Sequence, residues 1–468
     1  MITVDRAETE LAAIAAREGG LRKSLTRGQV VMIGLGGAIG TGLFAGSSLA
    51  IGYAGPAVLL SYVIAGFAAL VMVLSLSEMA VAHPAAGSFG VYAETYLNPW
   101  AGFIVRYTYW MEEVVAVGGE AVAVGVYMTF WFPHLPVWIW SVGFAAVLLF
   151  INSRSVKNFG TFEYWFALIK VAAIVAFIVL GLAGLTGVGR AAPIGLHNLY
   201  GLPGGFMPHG LKGVWLAVIM GIFSYNGIEV IAVTSGETAD PARTIPAALR
   251  TMALRLFLFY VLALFIVVAV VPWTQVGAAT FVQSPFVKVF AQSGVREAAG
   301  IMNFVVITAA LSSMNTNVYL CSRMLFSLSR GGYAPAFLGR LTRTGVPVAA
   351  ILISGGGILA AALVSWLTPR AYGILFGIAL FGAITVWIII LLSHIGFRRH
   401  HGEQALTVRM PGFPLMQIAG IVLLSAVLIT MGLDQDWRLS WLVGVPWLAA
   451  LTAAYWLTRR RRARFALS

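Results

Sequence analysis

The sequence predicts an all-α polytopic membrane protein, and three observations carry that prediction. Of 468 residues, 60% are hydrophobic and only 10% charged, and mean hydropathy is +0.89. That composition suits a chain surrounded by lipid. Twelve apolar stretches follow one another, each near or above the ~20 residues a helix needs to cross the hydrocarbon core. Two of them, the first and the sixth, carry helix-weakening residues at mid-length, which makes them corresponding members of two five-span halves.

The spans lie at roughly 28–52, 56–78, 99–131, 136–152, 161–185, 213–235, 251–271, 299–327, 346–366, 372–396, 414–433 and 439–458. The expected organisation is a polar N-terminal segment (1–27), a first five-helix repeat (28–185), an external loop (186–212) and a second five-helix repeat (213–396). A cytoplasmic loop (397–413), helices 11 and 12 (414–458) and a basic tail (459–468) complete it. An odd number of spans per half gives the halves opposite membrane orientations. Ser284-Pro285 opens a short helix across the outer face, in the position of a lid.

Residues 1–20 carry Asp5, Glu8, Glu10 and Glu18 and lack the apolar core of a signal peptide, so the first span is expected to remain. With twelve spans, 23 of the 30 Lys and Arg fall on the side of the two termini. The positive-inside rule then puts both termini in the cytoplasm, and the chain in the cytoplasmic membrane. This asymmetry accounts for the net charge of +13 without a nucleic-acid partner. The single cysteine, Cys321, forms no internal disulfide and reads as a small packing residue.

The first interruption is Ile33-Gly34-Leu35-Gly36-Gly37-Ala38-Ile39-Gly40-Thr41-Gly42-Leu43-Phe44. Glycine weakens a helix interior by about 1 kcal/mol relative to alanine. Two readings stand: a broken helix whose freed amides bind an anionic group, and a small-residue face for close helix packing. The second interruption is Phe223-Ser224-Tyr225-Asn226-Gly227-Ile228-Glu229. Paired breaks in corresponding spans favour a transporter with a binding site at the membrane midplane.

A charge at mid-bilayer costs at least ~2.5 kcal/mol, so each one asks for a reason. Lys170 lies deep in the fifth span and is either a proton carrier or a structural cation held by carbonyls. Glu229 either accepts a proton or caps the broken backbone. In the third span Glu113 and Glu120 share a face with Arg106 and Tyr127, either as an acidic wall on the substrate path or as a packing face, with Glu112 off that stripe. Glu78 reads as interfacial, Glu163 as an acid near a helix N-terminus, and the seven histidines as loop or end residues. No residue set has metal-ligand spacing, and no nucleophile elbow, phosphate loop or zinc-protease motif is present. Neither enzyme chemistry, nor a metal, nor a cofactor is expected.

In sequence order, GGAIGTGLF (36–44), HPAAGSFGVYA (83–93), YMTFWFP (127–133), FEYWFALIKV (162–171), FSYNGIE (223–229) and GETADPARTIPAA (236–248) together resemble the amino acid permeases of the amino acid–polyamine–organocation (APC) superfamily, specifically the bacterial amino acid transporter family. QSPF (283–286) and the run from Met302 to Leu325 add to it, and the resemblance covers about residues 22–460. It implies a LeuT-type five-plus-five inverted repeat with two additional C-terminal helices, and uptake of an amino acid, usually with a proton. It also implies a substrate carboxylate at Ala38, Gly40, Thr41 and Gly42, and an ammonium at Phe223, Ser224 and Asn226. Phe223 matches an aromatic gate, and Glu120 joins the substrate site, an acid there being not unusual in the family. Lys170 matches the lysine that stands in for a sodium site, and Glu229 the acid after the second break. Ser312 and Ser313 lie where sodium-coupled relatives have ligands, but with Lys170 present no sodium is expected. The pair Glu112-Glu113 departs from the pattern, standing where aromatic or apolar residues are expected.

The expected partners are thus an amino acid substrate, a proton and the bilayer. Rival readings are an exchanger or polyamine carrier, and more remotely an ion channel, against which stands the lack of a charge ring or carbonyl filter.

Overall fold

The computed structural model describes residues 25–458 except 86, 155, 189–192, 239, 277–283, 293–297, 369 and 402–408, together with 9, 11, 13, 14 and 16–21. The basic tail and most of the N-terminal lead lie outside the described residues. Every regular element among the described residues is helical; Leu25 and Thr238 form one isolated bridge.

Helix α1 spans Arg27–Ala38. Its start is fixed by a capping box: Thr26 Oγ1 accepts from the Gln29 N–H, and the Gln29 side chain accepts from the Thr26 N–H. The chain breaks at Ile39–Gly40, resumes as a π-helical turn (Gly42–Gly46) and continues as α2 (Ser47–Ala54). Then follow α3 (Val58–Ala82), the short α4 (Ser88–Tyr96) and α5 (Pro99–Met128), whose Asn98 N-cap accepts from Ala101 N–H at 2.9 Å. Next come α6 (Val137–Arg154), α7 (Val156–Thr186) and α8 (Gly210–Tyr225), which ends in the second break before α9 (Val230–Val233). The rest comprises α10 (Pro241–Val270), the short α11 (Pro285–Gln292), α12 (Ala298–Arg330), α13 (Val348–Leu367), α14 (Ala371–His401), α15 (Leu415–Leu433) and α16 (Arg438–Leu457).

Nine helical stretches among the described residues are long and apolar enough to cross a membrane, the longest, Arg27–Ala82, including the first break. Helix α5 is not among them because it carries Arg106, Glu112, Glu113 and Glu120, all of them buried. Charges buried this way belong inside a bundle, not against lipid. Consistent with that, the segment α8–α9 and helix α12 are buried, whereas α6, α7, α15 and α16 expose large apolar side chains such as Phe150, Trp165, Leu180, Val422 and Leu442. Helices that are apolar on both faces suit a bundle wrapped in hydrocarbon.

Two helices begin earlier than hydropathy suggests, α7 at Val156 and α10 at Pro241. A helix continues through polar residues beyond the apolar stretch because backbone bonding, not hydropathy, sets its end. The Ser284-Pro285 expectation corresponds to α11, where Phe286 packs edge-on against Phe44 with centroids 5.0 Å apart.

One end of the bundle is tied by buried and partly buried ion pairs. Arg106 meets Glu94 at 2.7 Å, Arg17 reaches the same carboxylate at 3.2 Å, and Arg323 pairs with Glu237 at 2.7 Å. Glu18 accepts from the Gly87 N–H and from Ser327 Oγ, which ties the lead segment to this end. Two expectations need correction here. Glu78 lies near the end of α3, as expected, but is enclosed by protein and not open to its surroundings: it is bonded to Arg398 and the Met410 N–H, with His394 at 3.3 Å. His394 lies inside α14 rather than at a helix end, brought to Glu78 by the packing of α14 on α3.

Candidate functional site

Helix α1 stops at Ala38, and Ile39 leaves the helical region at φ −87°, ψ 85°. The polypeptide here is fully buried, so its unpaired carbonyls must find donors within the protein. Lys170 supplies them: Nζ donates to the carbonyls of Gly36 and Ile39, at 2.7 Å to the latter, and at 3.4 Å to that of Ala309. Tyr260 Oη donates to the Ala38 carbonyl at 2.7 Å. Lys170 is fully buried and within electrostatic reach of two carboxylates, Glu163 and Glu120.

Glu163 is not the simple helix-start acid expected. It is fully buried, accepts from Ser312 Oγ and from Asn315 Nδ2 (3.0 Å), and fills the space that a side chain on Gly36 would take. Asn315 is itself held by Asn152 Nδ2 at 2.8 Å. The available signal was spacing: seven residues put Glu163 and Lys170 on one helix face, about 10 Å apart along the axis.

The second break follows Tyr225. Asn226 is extended (φ −62°, ψ 149°) and Gly227 has φ +90°, a region that side chains rarely tolerate. A Cβ on Gly227 would also stand 2.8 Å from the Gly37 carbonyl oxygen, so this glycine lets the two breaks touch. The Gly227 N–H donates to Glu229 Oε1 at 3.2 Å, and Tyr109 Oη donates to the same oxygen at 3.0 Å. Ser224 Oγ bonds Tyr62 Oη at 2.8 Å.

Between the breaks lies a small cavity. The first break contributes Gly37, Ala38, Gly40 and Gly42 to it, and the second contributes Phe223, Asn226 and Gly227. Glu120 and Ala116 of α5 and Ser313 and Asn317 of α12 close it. Six of the expected substrate residues therefore share one cavity: Ala38, Gly40, Gly42, Phe223, Asn226 and Glu120. Thr41 and Ser224 are buried beside it, outside the lining. Lys170 and Glu229 lie behind the first and second break. Glu113 is off the cavity wall, fully buried in a cluster with Tyr109 and Glu229. Asn317, with no assigned role in the sequence reading, lines the cavity.

Three buried acceptors on the lining have no hydrogen-bond partner: Glu120 Oε2, Asn226 Oδ1 and Asn317 Oδ1. An unsatisfied buried acceptor costs about 1–3 kcal/mol, so the wall is chemically suited to a ligand rich in N–H donors. The N-terminal side of the π-helical turn and the C-terminal end of α8 add opposite partial charges across the cavity. Among the described residues no group of His, Cys, Asp or Glu has the arrangement of a metal site.

The family model described as "Amino acid permease" matches residues 29–468. The "Uncharacterized amino acid permease YtnA" of Bacillus subtilis (strain 168) is 41% identical over 442 residues, covering 93% of this chain and 95% of the relative. The "Probable threonine/serine transporter YbxG" of the same organism is 36% identical with the same coverage. The "Aromatic amino acid transport protein AroP" of Escherichia coli (strain K12) is 38% identical over 439 residues, again 93% and 95% of the two chains. These relatives are permeases and transporters, not enzymes. With its helical bundle and apolar outer faces, this chain is a multi-pass membrane protein of the amino acid permease family, in the APC superfamily.

Proposed function

We propose that the protein imports an α-amino acid across the cytoplasmic membrane together with a proton, by alternating access around the cavity between the two breaks. The observation that carries this reading is the meeting of two helix breaks at one buried cavity whose ends have opposite polarity. A carboxylate suits the amides at Gly40, Thr41 and Gly42, where a helical segment begins, taking the Gly40 N–H from the Ala38 carbonyl and the Thr41 N–H from Glu120. An ammonium suits the end of α8 and the unpaired oxygens of Glu120 and Asn226. Relatives of similar identity are named for threonine/serine and for aromatic amino acids, so the family sets the amino acid head group and the cavity wall selects the side chain.

Splitting Arg27–Ala82 at its turn, Gly55–Ala57, with the first break kept inside one span, and adding α5 and α10 to the apolar stretches, gives twelve spans. They are arranged as two inverted five-helix repeats of LeuT type plus α15 and α16, with the domain limits given above. The excess of Lys and Arg on one side puts both termini in the cytoplasm, and α11 then lies outside as a lid. Lys170 and Glu229 serve as the proton-coupling pair, each tied to the backbone of one break, so that gain or loss of a proton changes how firmly that break is held. A proton entering with the substrate adds about 2.3 kcal/mol per 100 mV of membrane potential.

Purified protein in liposomes tests this. A radiolabelled amino acid should accumulate when the outside is acidic and leak out on addition of a protonophore. Accumulation that requires unlabelled amino acid inside and ignores the pH gradient would make the protein an exchanger. Uptake confined to amines without a carboxylate would overturn the two-break site.

A further inference from the structure

Asn226 lines the cavity and is also held from behind. It is the first residue past α8, where the backbone is extended and its N–H turns back to the Phe223 carbonyl at 3.0 Å. No helical neighbours fix a side chain at such a point. What fixes it is a hydrogen bond: Nδ2 donates to Glu112 Oε1 at 2.7 Å, leaving Oδ1 buried and unpaired. Glu112 is fully buried in α5 and does not belong to the cavity wall.

An asparagine amide has two chemically opposite faces, an NH2 that only donates and an oxygen that only accepts. Which face turns to the cavity decides whether the second break offers the ligand a donor or an acceptor. An ionised carboxylate behind the amide resolves the choice, because it only accepts and so claims the NH2. The oxygen is then the face left for the cavity. The surroundings of Glu112 supply no substitute. Its charged or polarisable neighbours are Glu113, Glu229, Tyr109 and Cys321, its other oxygen has no partner, and Asn226 is its donor.

We infer that Glu112 is a positioning residue for substrate recognition: it turns the Asn226 amide so that Oδ1 faces the cavity as an acceptor for a primary ammonium group. The inference rests on the reading of the cavity as an amino acid site. It also gives the acid that departs from the family pattern a role that does not require it to touch the substrate. The α-ammonium is the group recognised, with no demand on the charge of the substrate side chain.

The test uses the purified full-length protein. A thermal-shift screen of the proteinogenic L-amino acids selects the probe with the largest stabilisation, and its Kd is compared with that of the same molecule carrying hydrogen in place of the ammonium. Glu112→Leu removes the acceptor and should weaken the amino acid about tenfold while leaving the des-amino analogue unchanged. Glu112→Gln offers Asn226 a donor as well as an acceptor, so it no longer dictates which way the amide turns, and its loss should lie between wild type and Glu112→Leu. In an Asn226→Ala background, Glu112→Leu should add nothing, because both changes remove the same contact. Wild-type affinity for the amino acid in Glu112→Leu, or equal weakening of the des-amino analogue, would overturn the inference. Additive losses from Glu112→Leu and Asn226→Ala would overturn it as well. Should Glu112→Leu fail to fold, Glu112→Ala takes its place with the same outcomes. Failure of the underlying reading looks different: wild-type affinity in both Asn226→Ala and Gly40→Val, the latter placing a side chain 2.7 Å from Glu120 Oε1, would remove the cavity as the binding site.

Discussion

At the first break the carbonyls of Gly36 and Ile39 accept from the Lys170 ammonium, whereas at the second the Gly227 N–H donates to the Glu229 carboxylate. Both breaks lie in buried, glycine-containing backbone, yet they are satisfied by opposite charges. The reason lies in which helix end is left open. Lys170 serves the C-terminal end of α1, where carbonyls are orphaned; Glu229 serves the start of α9, where amides are orphaned. The first break is further tied by Tyr260 on Ala38 and flanked by Glu163, itself held by two donors. The second leaves both Glu113 oxygens, Glu112 Oε2 and Glu229 Oε2 without hydrogen-bond partners. One break is organised around a cation, the other around a cluster of acids that leans on Tyr109 and Asn226.

Changes at four positions would break or sharpen that contrast. The largest effect is expected from Lys170→Met, which strips the first break of its donor and leaves Glu163 and Glu120 without their cation. A loss of about 3–5 kcal/mol, seen as a large fall in melting temperature, should accompany loss of uptake; an unchanged melt would show that the carbonyls find other donors. Gly227→Ala comes next. Positive φ and the Gly37 carbonyl at 2.8 Å make about 1–3 kcal/mol of strain, so ligand affinity should fall about tenfold or more. Affinity equal to wild type would mean that the two breaks need not touch.

Glu229→Gln and Glu229→Leu then separate the two roles of that acid. Glutamine keeps an acceptor for Gly227 and Tyr109, so its stability should stay within about 1 kcal/mol of wild type, whereas leucine should lose about 1–3 kcal/mol. If glutamine is stable but transport loses its response to a pH gradient, the acid carries a proton as well as capping the break. The smallest effect concerns the ion pairs at the bundle end. Burial raises the Glu94 carboxyl, but Arg106 and Arg17 outweigh it and hold the group below the ordinary glutamate value. With the folded value depressed, the pair's contribution is complete above the ordinary glutamate pKa and disappears as pH falls through the lower folded value. Arg17→Ala, with Arg17 partly exposed, should therefore lower stability at neutral pH by no more than about 1 kcal/mol. The difference from wild type should narrow on acidification. A gap that widens toward low pH would contradict the pairing.

Much of the site was legible before any coordinates. Glycine and asparagine in the middle of apolar spans announced the breaks, because unwound backbone in a membrane needs a special setting. A lysine deep in an apolar span announced itself for the same reason. What escaped were partnerships between distant helices. Glu163 read as a helix-start acid because its donors, Ser312 and Asn315, lie on α12. Glu78 read as interfacial because Arg398 and His394 arrive only when α14 packs on α3. Glu112 was judged off the functional stripe of α5, and its link to Asn226 becomes visible only across the α5–α8 contact.

By itself, the sequence determined the class of protein, the family and the two places where helices break. These follow from local composition: hydropathy selects membrane helices, and backbone preference selects where they unwind. The tertiary structure decided which charge answers which break, which acids face the cavity and which stand behind it. Such choices turn on distances of a few ångströms between side chains far apart in the chain, and hydrogen bonds exist or vanish over less than that.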